Sequence, residues 1–256
     1  MFESIKTKRL NTLELFKLSG SIFYRNFNSL FFITVFVYLP LSILLALFPE
    51  SYIPDFGYII NVIEQQELIS LEYQQEVVTF LFLTNLLSVF FIPLCMAGVT
   101  YIALSAVNDQ KLLIYGIFDH SIQKWGKLIV TSIIFSAIHI VSILLFIAPG
   151  IYVGTVFAFY ACVVATTNHW GMKALSESSK VVKGHFVPTL MFFIVVNIAE
   201  FTASHILLGS SSSTLMFVLT NTLVNSILVY FKVIVALKFI NLNFIWENQH
   251  AKKGDF

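Results

Sequence analysis

Apolar residues gather into six long runs along this chain, and shorter segments that contain most of the polar residues separate them. A bilayer core about 30 Å thick requires roughly 20 apolar residues of helix. Runs of about that length or longer occupy residues 28–48, 77–105, 128–148, 150–168, 187–208 and 214–238. The pattern therefore predicts an all-α fold, with six transmembrane helices in a single integral membrane domain over residues 1–256.

The third and fourth runs are nearly continuous. From Leu128 to Thr167 the chain is long enough to cross the membrane twice, and Pro149-Gly150 is its strongest interruption. Proline cannot continue a helix, and glycine permits left-handed backbone angles. We therefore predict a tight helical hairpin that turns at Pro149-Gly150.

A segment of mixed polar and apolar residues precedes the first, third and fifth runs. These segments are Leu15–Phe27, Leu113–Trp125 and Ala174–Phe186. Each is long enough for about three helical turns. They predict three short amphipathic helices that lie in the membrane interface, with basic groups near anionic headgroups.

Each of these segments is followed by a pair of spans. The chain then divides into units of about 8–105, 106–168 and 169–246, with a short tail at 247–256. The alternative is that every hairpin simply has a basic entry, without any repeated unit.

Positive charge is confined to one side of the apolar runs. All fifteen Lys and Arg residues lie in, or toward, the segments on the side of the N-terminus. The loop 49–76, on the other side, contains acidic residues and no Lys or Arg. Because short loops rich in Lys and Arg stay in the cytoplasm, both termini are predicted to be cytoplasmic and loop 49–76 to lie outside. The membrane is the cell membrane if the chain is bacterial.

Composition agrees with a protein whose main solvent is lipid. The chain is 57% apolar and 11% charged, with a mean hydropathy of +0.84. A soluble domain has about 25% charged residues. The net charge is only +1, and basic residues form no patch beyond the loops, so nucleic-acid binding is not expected. Cys95 and Cys162 lie far apart in predicted spans, which favours neither a disulfide framework nor a zinc site.

The best candidate site consists of polar residues inside the predicted spans. Glu200 is the one acid deep in a span, where a carboxylate is costly unless it is paired or protonated. Asn197 lies one turn before it, and Asn221 and Asn225 share a face of the last span at i, i+4. We expect these four residues to line a polar strip between the fifth and sixth helices. Other polar residues that could face the bundle interior are His139, His205, Asn85 and Lys232.

Three roles for this strip stay open. The polar groups can hold the helices together by hydrogen bonds. Alternatively, they can relay a proton or ion, or contact a substrate or a lipid headgroup.

Signatures of enzymes are missing from the sequence. It contains no G-x-S-x-G, H-E-x-x-H, P-loop or GxGxxG motif, and its six histidines are scattered without ligand spacing. We therefore expect a protein that is not an enzyme, with no catalytic residues, no bound metal and no cofactor.

The segment from Ile147 to Phe186 carries a family-like motif. Its elements are Pro149, Gly150, Gly171, Ala174, Leu175, Ser178, Lys183, Gly184 and Phe186. With these residues the chain resembles the YciC-like group of bacterial integral membrane proteins and the membrane domain fused to some glycerophosphodiester phosphodiesterases. It is also similar to a group of plant membrane proteins. The resemblance implies a helical membrane fold. Because only a short tail follows Trp246, we expect no phosphodiesterase domain and no hydrolytic activity.

Two functional hypotheses follow. The first is a non-enzymatic scaffold or accessory subunit that meets the lipid bilayer, a protein partner or further copies of itself through its interfacial helices. The second is a small transporter or permease component that uses the polar strip around Glu200.

Overall fold

The computed structural model describes residues 3–47, 71–110, 113–207 and 214–251, and in these ranges it contains helices and no strands. The helices are α1 (Glu3–Thr7), α2 (Thr12–Arg25), α3 (Phe27–Ala46), α4 (Leu71–Val107), α5 (Ile114–Leu145), α6 (Ile147–Val156), α7 (Tyr160–Thr166), α8 (Met172–Val182), α9 (Phe186–Leu207) and α10 (Thr214–Ala251).

Six segments are long and apolar enough to cross a membrane. They are Phe27–Ala46, Phe82–Val107, Ile114–Leu145, Ile147–Thr166, Phe186–Ser204 and Leu215–Gln249. The predicted all-α polytopic membrane fold with six spans is therefore confirmed. Most of the predicted outer loop 49–76 lies outside the described residues, and positions 71–76 belong to α4.

Helix α10 forms the centre of the bundle. Its most extensive contacts are with α3 and α4, and it also packs against α1, α2, α8 and α9. Val229, Val233 and Leu237 on α10 are fully buried. Helices α5 and α9, in contrast, leave much of their apolar surface exposed, as at Ile140 and Ile198. Apolar side chains on the outside of a bundle are what contact with lipid requires.

Asn241 attaches the N-terminal segment to the end of α10. This side chain is fully buried. Its amide donates to the carbonyls of Ile5, at 2.7 Å, and Lys8, at 2.8 Å, and its oxygen accepts from the backbone N–H of Leu10 at 3.1 Å. One side chain therefore fixes residues 5–10 against α10, through contacts that the sequence pattern did not predict.

Helix α2 begins with a capping box. The side chain of Asn11 accepts from the backbone N–H of Glu14, and the Glu14 carboxylate accepts from the N–H of Asn11. Lys8 also donates to this carboxylate at 2.7 Å. The hydrogen bonds from Lys8 and then from Asn11 hold the pKa of Glu14 below its ordinary value. These bonds define where the amphipathic helix starts.

The second predicted amphipathic helix is not a separate element. The segment Leu113–Trp125 continues directly into the third span as part of α5. No residue between them stops the helix, and the space around Gly126 is open. The other two amphipathic helices are separate, because α2 is followed by Asn26, which has non-helical backbone angles, and α8 is followed by Gly184 at φ +80°.

The hairpin between the third and fourth spans turns three residues earlier than predicted. Helix α5 ends at Leu145, Phe146 is extended at φ −162° and ψ 151°, and α6 begins at Ile147. Pro149 lies in the first turn of α6, where a missing N–H costs nothing. Gly150 serves close packing instead of the turn, since a Cβ there would lie 2.4 Å from Cγ1 of Ile143.

The fourth span is interrupted between α6 and α7. The break is bridged by Ser178 of α8, whose hydroxyl donates to the Val156 carbonyl at 2.9 Å and accepts from the Phe159 N–H at 3.2 Å. At the other end of the chain, α10 extends past the predicted end of the sixth span at 238. The predicted tail 247–256 is therefore helical as far as Ala251.

Candidate functional site

Helices α9 and α10 place two polar stripes opposite each other. On α9 the stripe contains Asn197, Glu200 and Ser204, at i, i+3 and i+7. On α10 it contains Asn221 and Asn225. These five side chains, with Phe201 and Leu228, line one cleft of about 400 Å³. The structure thus brings the four residues predicted from the sequence to a single site.

The Glu200 carboxylate is paired with Lys232. The Lys232 Nζ lies 3.3 Å from the Glu200 Oε1 and 5.5 Å from the centre of the Tyr38 ring. The Lys232 side chain is 13% exposed and that of Glu200 is 32% exposed. Removing a buried charge from its partner is costly, so this pair fixes α9 against α10.

The sequence marks Lys232 as a polar residue of the last span but does not by itself pair it with Glu200. Lys232 follows Asn225 by seven residues, or two turns, and therefore lies on the same face of α10. This spacing was the signal that could have identified the partner.

The asparagine amides of the strip are used within the protein. Asn197 donates to the Phe193 carbonyl of its own helix at 2.7 Å. Asn225 donates to the backbone and side-chain oxygens of Asn221. Asn221 in turn donates to the Ser42 hydroxyl of α3 at 2.8 Å. The strip therefore links α10 to α3 as well as to α9.

A second cavity of about 360 Å³ lies between α5, α6 and α9. Its lining is mostly apolar and includes His139, Gly150, Gly154 and Phe193. Asn197 lines this cavity and the polar cleft. His139 therefore shares a cavity with Asn197 of the strip but does not line the polar cleft. The glycines leave room for the neighbouring helix, as small residues do at contacts between membrane helices.

Of the remaining polar candidates, Asn85 does not line the polar cleft. Asn85 is exposed on α4, and the side chain of His205 lies outside the described residues. Within the part of the chain that the structure describes, no group of three or more His, Cys, Asp or Glu side chains could hold a metal ion. Cys95 and Cys162 are buried free thiols.

The residues of the family-like motif have packing and turn positions. Ala174 and Leu175 are fully buried on the inner side of α8. Gly184 adopts the left-handed conformation that separates α8 from α9, and Lys183 beside it is exposed. Phe186 is the first residue of α9, and the centre of its ring lies 5.3 Å from the centre of the Tyr152 ring. The motif thus describes how α6, α8 and α9 meet, and it does not overlap with the polar cleft.

Comparison of the chain with protein-family models, curated proteins and solved structures gave no match. The resemblance to YciC-like proteins therefore stays a prediction. The fold and the site define an all-α polytopic membrane protein in which an ion pair and a polar cleft connect the last two spans.

Proposed function

We propose that this protein is a non-enzymatic scaffold or accessory subunit of the membrane. The observation that carries the proposal is the Glu200–Lys232 pair, at 3.3 Å. The two charges of this pair neutralise each other, and the neighbouring amides bond to helices of the same chain. Such an arrangement supports a role in holding the bundle together, which leaves its outer surfaces for lipids and partners.

Helix α8 offers a surface for such contacts. Its buried side carries Ala174, Leu175 and Ser178, and its opposite side exposes Lys173 and Lys180. A helix with one basic and one apolar side suits the membrane interface, where its exposed basic side can meet an acidic partner protein.

The orientation that we propose places both termini and α8 in the cytoplasm. It is supported by the basic residues that gather at one end of the bundle. There Lys6 donates to the Asn108 side chain, and Asn248 donates to the Lys6 carbonyl. We expect a membrane-impermeant thiol reagent to label Gln66→Cys, and not Ser176→Cys, in intact cells. Labelling of Ser176→Cys alone would reverse the orientation. Cys95 and Cys162 are buried and give little background.

Co-purification tests the scaffold proposal. The full chain is extracted in native nanodiscs, and bound proteins and lipids are identified by mass spectrometry beside an unrelated six-span protein. We expect a partner protein that co-purifies in stoichiometric amount with the wild-type chain and is lost from the double variant Lys173→Glu/Lys180→Glu. The control is Glu200→Gln/Lys232→Met, which removes the ion pair without leaving either charge alone and should keep the partner. A chain without any specific partner would contradict the proposal.

The second candidate function, a small transporter or permease component, is favoured by the cleft itself. Glu200 is 32% exposed beside a polar cavity of about 400 Å³. Proton flux into liposomes that contain the purified chain tests this alternative. Flux that disappears in Glu200→Gln/Lys232→Met, but not in Lys173→Glu/Lys180→Glu, would favour transport over the scaffold role.

A further inference from the structure

A buried lysine lies between α9 and α10 at the end of the bundle that holds the N-terminal segment. Lys238 is 4% exposed, and its Nζ lies 5.4 Å from the centre of the Phe192 ring. Among the described residues, no carboxylate lies within salt-bridge distance of it. A buried ammonium without an anionic partner is unfavourable, and this differs from Lys232, which has Glu200.

Hydrogen bonds from the two residues that flank Arg9 hold its backbone near Lys238. The Lys8 carbonyl and the Leu10 N–H both bond to Asn241, which follows Lys238 by three residues. Arg9 is exposed, and no salt bridge within the described part of the chain involves it. The Arg9 backbone therefore lies less than one helical turn along α10 from the position of Lys238.

The start of α9 adds two polar atoms without partners. His185 immediately precedes α9, and its Nδ1 is buried without a hydrogen bond in the described structure. The same holds for the hydroxyl of Thr189, which is fully buried one turn later. His185, Thr189 and Phe192 follow each other at i, i+4 and i+7, so they share the face of α9 that meets Lys238.

The charge around His185 is uniformly positive. Burial and then the charges of Arg9 and Lys238 lower the pKa of His185 from its ordinary value of 6.5. Arg9 and Lys238 are therefore close enough to disfavour the charged form of His185, and an anion among these groups would relieve this repulsion.

We propose that Arg9, His185, Thr189 and Lys238 form a binding site for a phosphate group, supplied by the headgroup of an anionic lipid. Phosphate oxygens can accept from the guanidinium, the ammonium, the imidazole N–H and the hydroxyl. The first N–H groups of α9, a helix of 22 residues, add the positive end of its dipole. The source is a lipid because the site lies where α9 enters the predicted membrane region. The inference goes beyond the proposed function and holds for either candidate.

The test measures lipid binding to the full chain in detergent by native mass spectrometry. The chain is titrated with phosphatidylglycerol, with phosphatidylcholine and with inorganic phosphate. We expect one phosphatidylglycerol to bind more tightly than phosphatidylcholine, and Lys238→Met and Arg9→Gln each to weaken it at least tenfold. The matched control is Lys173→Met, which removes an exposed lysine of α8 and should change the affinity less than twofold.

The results distinguish a site for a lipid headgroup, a site for free phosphate and the absence of a phosphate site. Tight binding of inorganic phosphate with the same variant pattern, without preference for phosphatidylglycerol, would keep the phosphate site and replace the lipid by a free anion. The proposal would be overturned if Lys173→Met and Lys238→Met lost equal affinity for phosphatidylglycerol. It would also be overturned if neither phosphatidylglycerol nor inorganic phosphate bound. If Lys238→Met does not fold, Arg9→Gln on the surface and Thr189→Val, which keeps every charge, provide the same comparison.

Discussion

At the scale of single residues, Ser178 shows how one side chain can hold a broken membrane helix. Its hydroxyl satisfies both the Val156 carbonyl and the Phe159 N–H in the gap between α6 and α7. Buried backbone groups without partners are costly, and in lipid no water can replace the lost bond. Ser178 belongs to the family-like motif of the sequence, but its hydrogen-bond partners depend on how α8 packs against the break between α6 and α7.

We predict that Ser178→Ala lowers the free energy of unfolding by about 1–3 kcal/mol, because both backbone groups lose their partner. Unfolding in mixed detergent micelles, followed by tryptophan fluorescence, measures the change. Ser176→Ala is the control, since Ser176 is exposed on the same helix, and it should change stability by less than about 0.5 kcal/mol. Equal effects of the two substitutions would contradict the assigned role.

His185 predicts a pH dependence of stability. Its pKa is lowered in the folded protein by burial and by the charges of Arg9 and Lys238. Below pH 6.5 the unfolded chain therefore binds more protons at this residue than the folded chain, and stability falls as the pH falls. The melting temperature in phosphate-free zwitterionic detergent should decrease between pH 7.5 and 5.5. His185→Gln should show a smaller decrease, and an unchanged pH profile in this variant would refute the contribution of His185.

At the scale of elements, apolar periodicity located the helices better than it located their ends. The stripes that predicted α2 and α8 correspond to real amphipathic helices, since their inner faces pack on the bundle. The same kind of stripe at Leu113–Trp125 continues into α5, because helix continuity depends on backbone angles at one or two junction residues. Asn26 and Gly184 have non-helical angles, and the junction at Gly126 does not interrupt the helix.

Gly150 shows that the hairpin between α5 and α6 was also predicted correctly, while the residue at which it turns was not. Proline and glycine together suggested a turn, but the turn residue is Phe146, which has no special turn chemistry. The glycine is required by the side chain of Ile143 across the hairpin. Only the three-dimensional contact distinguishes a glycine that turns the chain from one that allows two helices to approach.

We predict that Gly150→Ala destabilises the protein by about 1–3 kcal/mol, because a Cβ would lie 2.4 Å from Cγ1 and 3.2 Å from Cα of Ile143. Gly126→Ala in α5 is the control, since nothing lies within 4 Å of its added Cβ. This control should be stabilised by about 0.5–1 kcal/mol, because alanine favours the helix. Thermal unfolding in detergent compares the two. Stabilisation of both variants would show that α5 and α6 separate easily.

At the scale of the whole molecule, hydropathy predicted the six spans, and polar residues predicted which spans meet at the cleft. What could not be predicted is the register between α9 and α10, which places Glu200 opposite Lys232. Register depends on how side chains of both helices interlock over their whole length. The positive charge of Lys232 therefore does not serve membrane orientation alone, because it also neutralises Glu200, the one acid deep in a predicted span.

This pairing makes a prediction for the stability of the bundle. Glu200→Gln leaves the more buried member, Lys232, without a carboxylate partner among the described residues, so it should cost about 1–3 kcal/mol. Lys232→Met should cost less, because Glu200 is 32% exposed and can take water or a proton. The double variant should be more stable than the sum of the two losses predicts, because no charge is left alone.

The comparison needs wild type and the three variants under one unfolding protocol, with crosslinking of α9 to α10 as a second readout. A coupling free energy of about 1 kcal/mol or more, with crosslinking kept in the double variant, would identify the pair as an electrostatic tie between helices that pack together without it. If the losses simply add, each side chain acts alone and the 3.3 Å contact contributes nothing to stability. In that case the cohesion of α9 with α10 rests on apolar packing such as Phe159 against Phe193 and Phe239, which joins the break between α6 and α7 to α9 and α10.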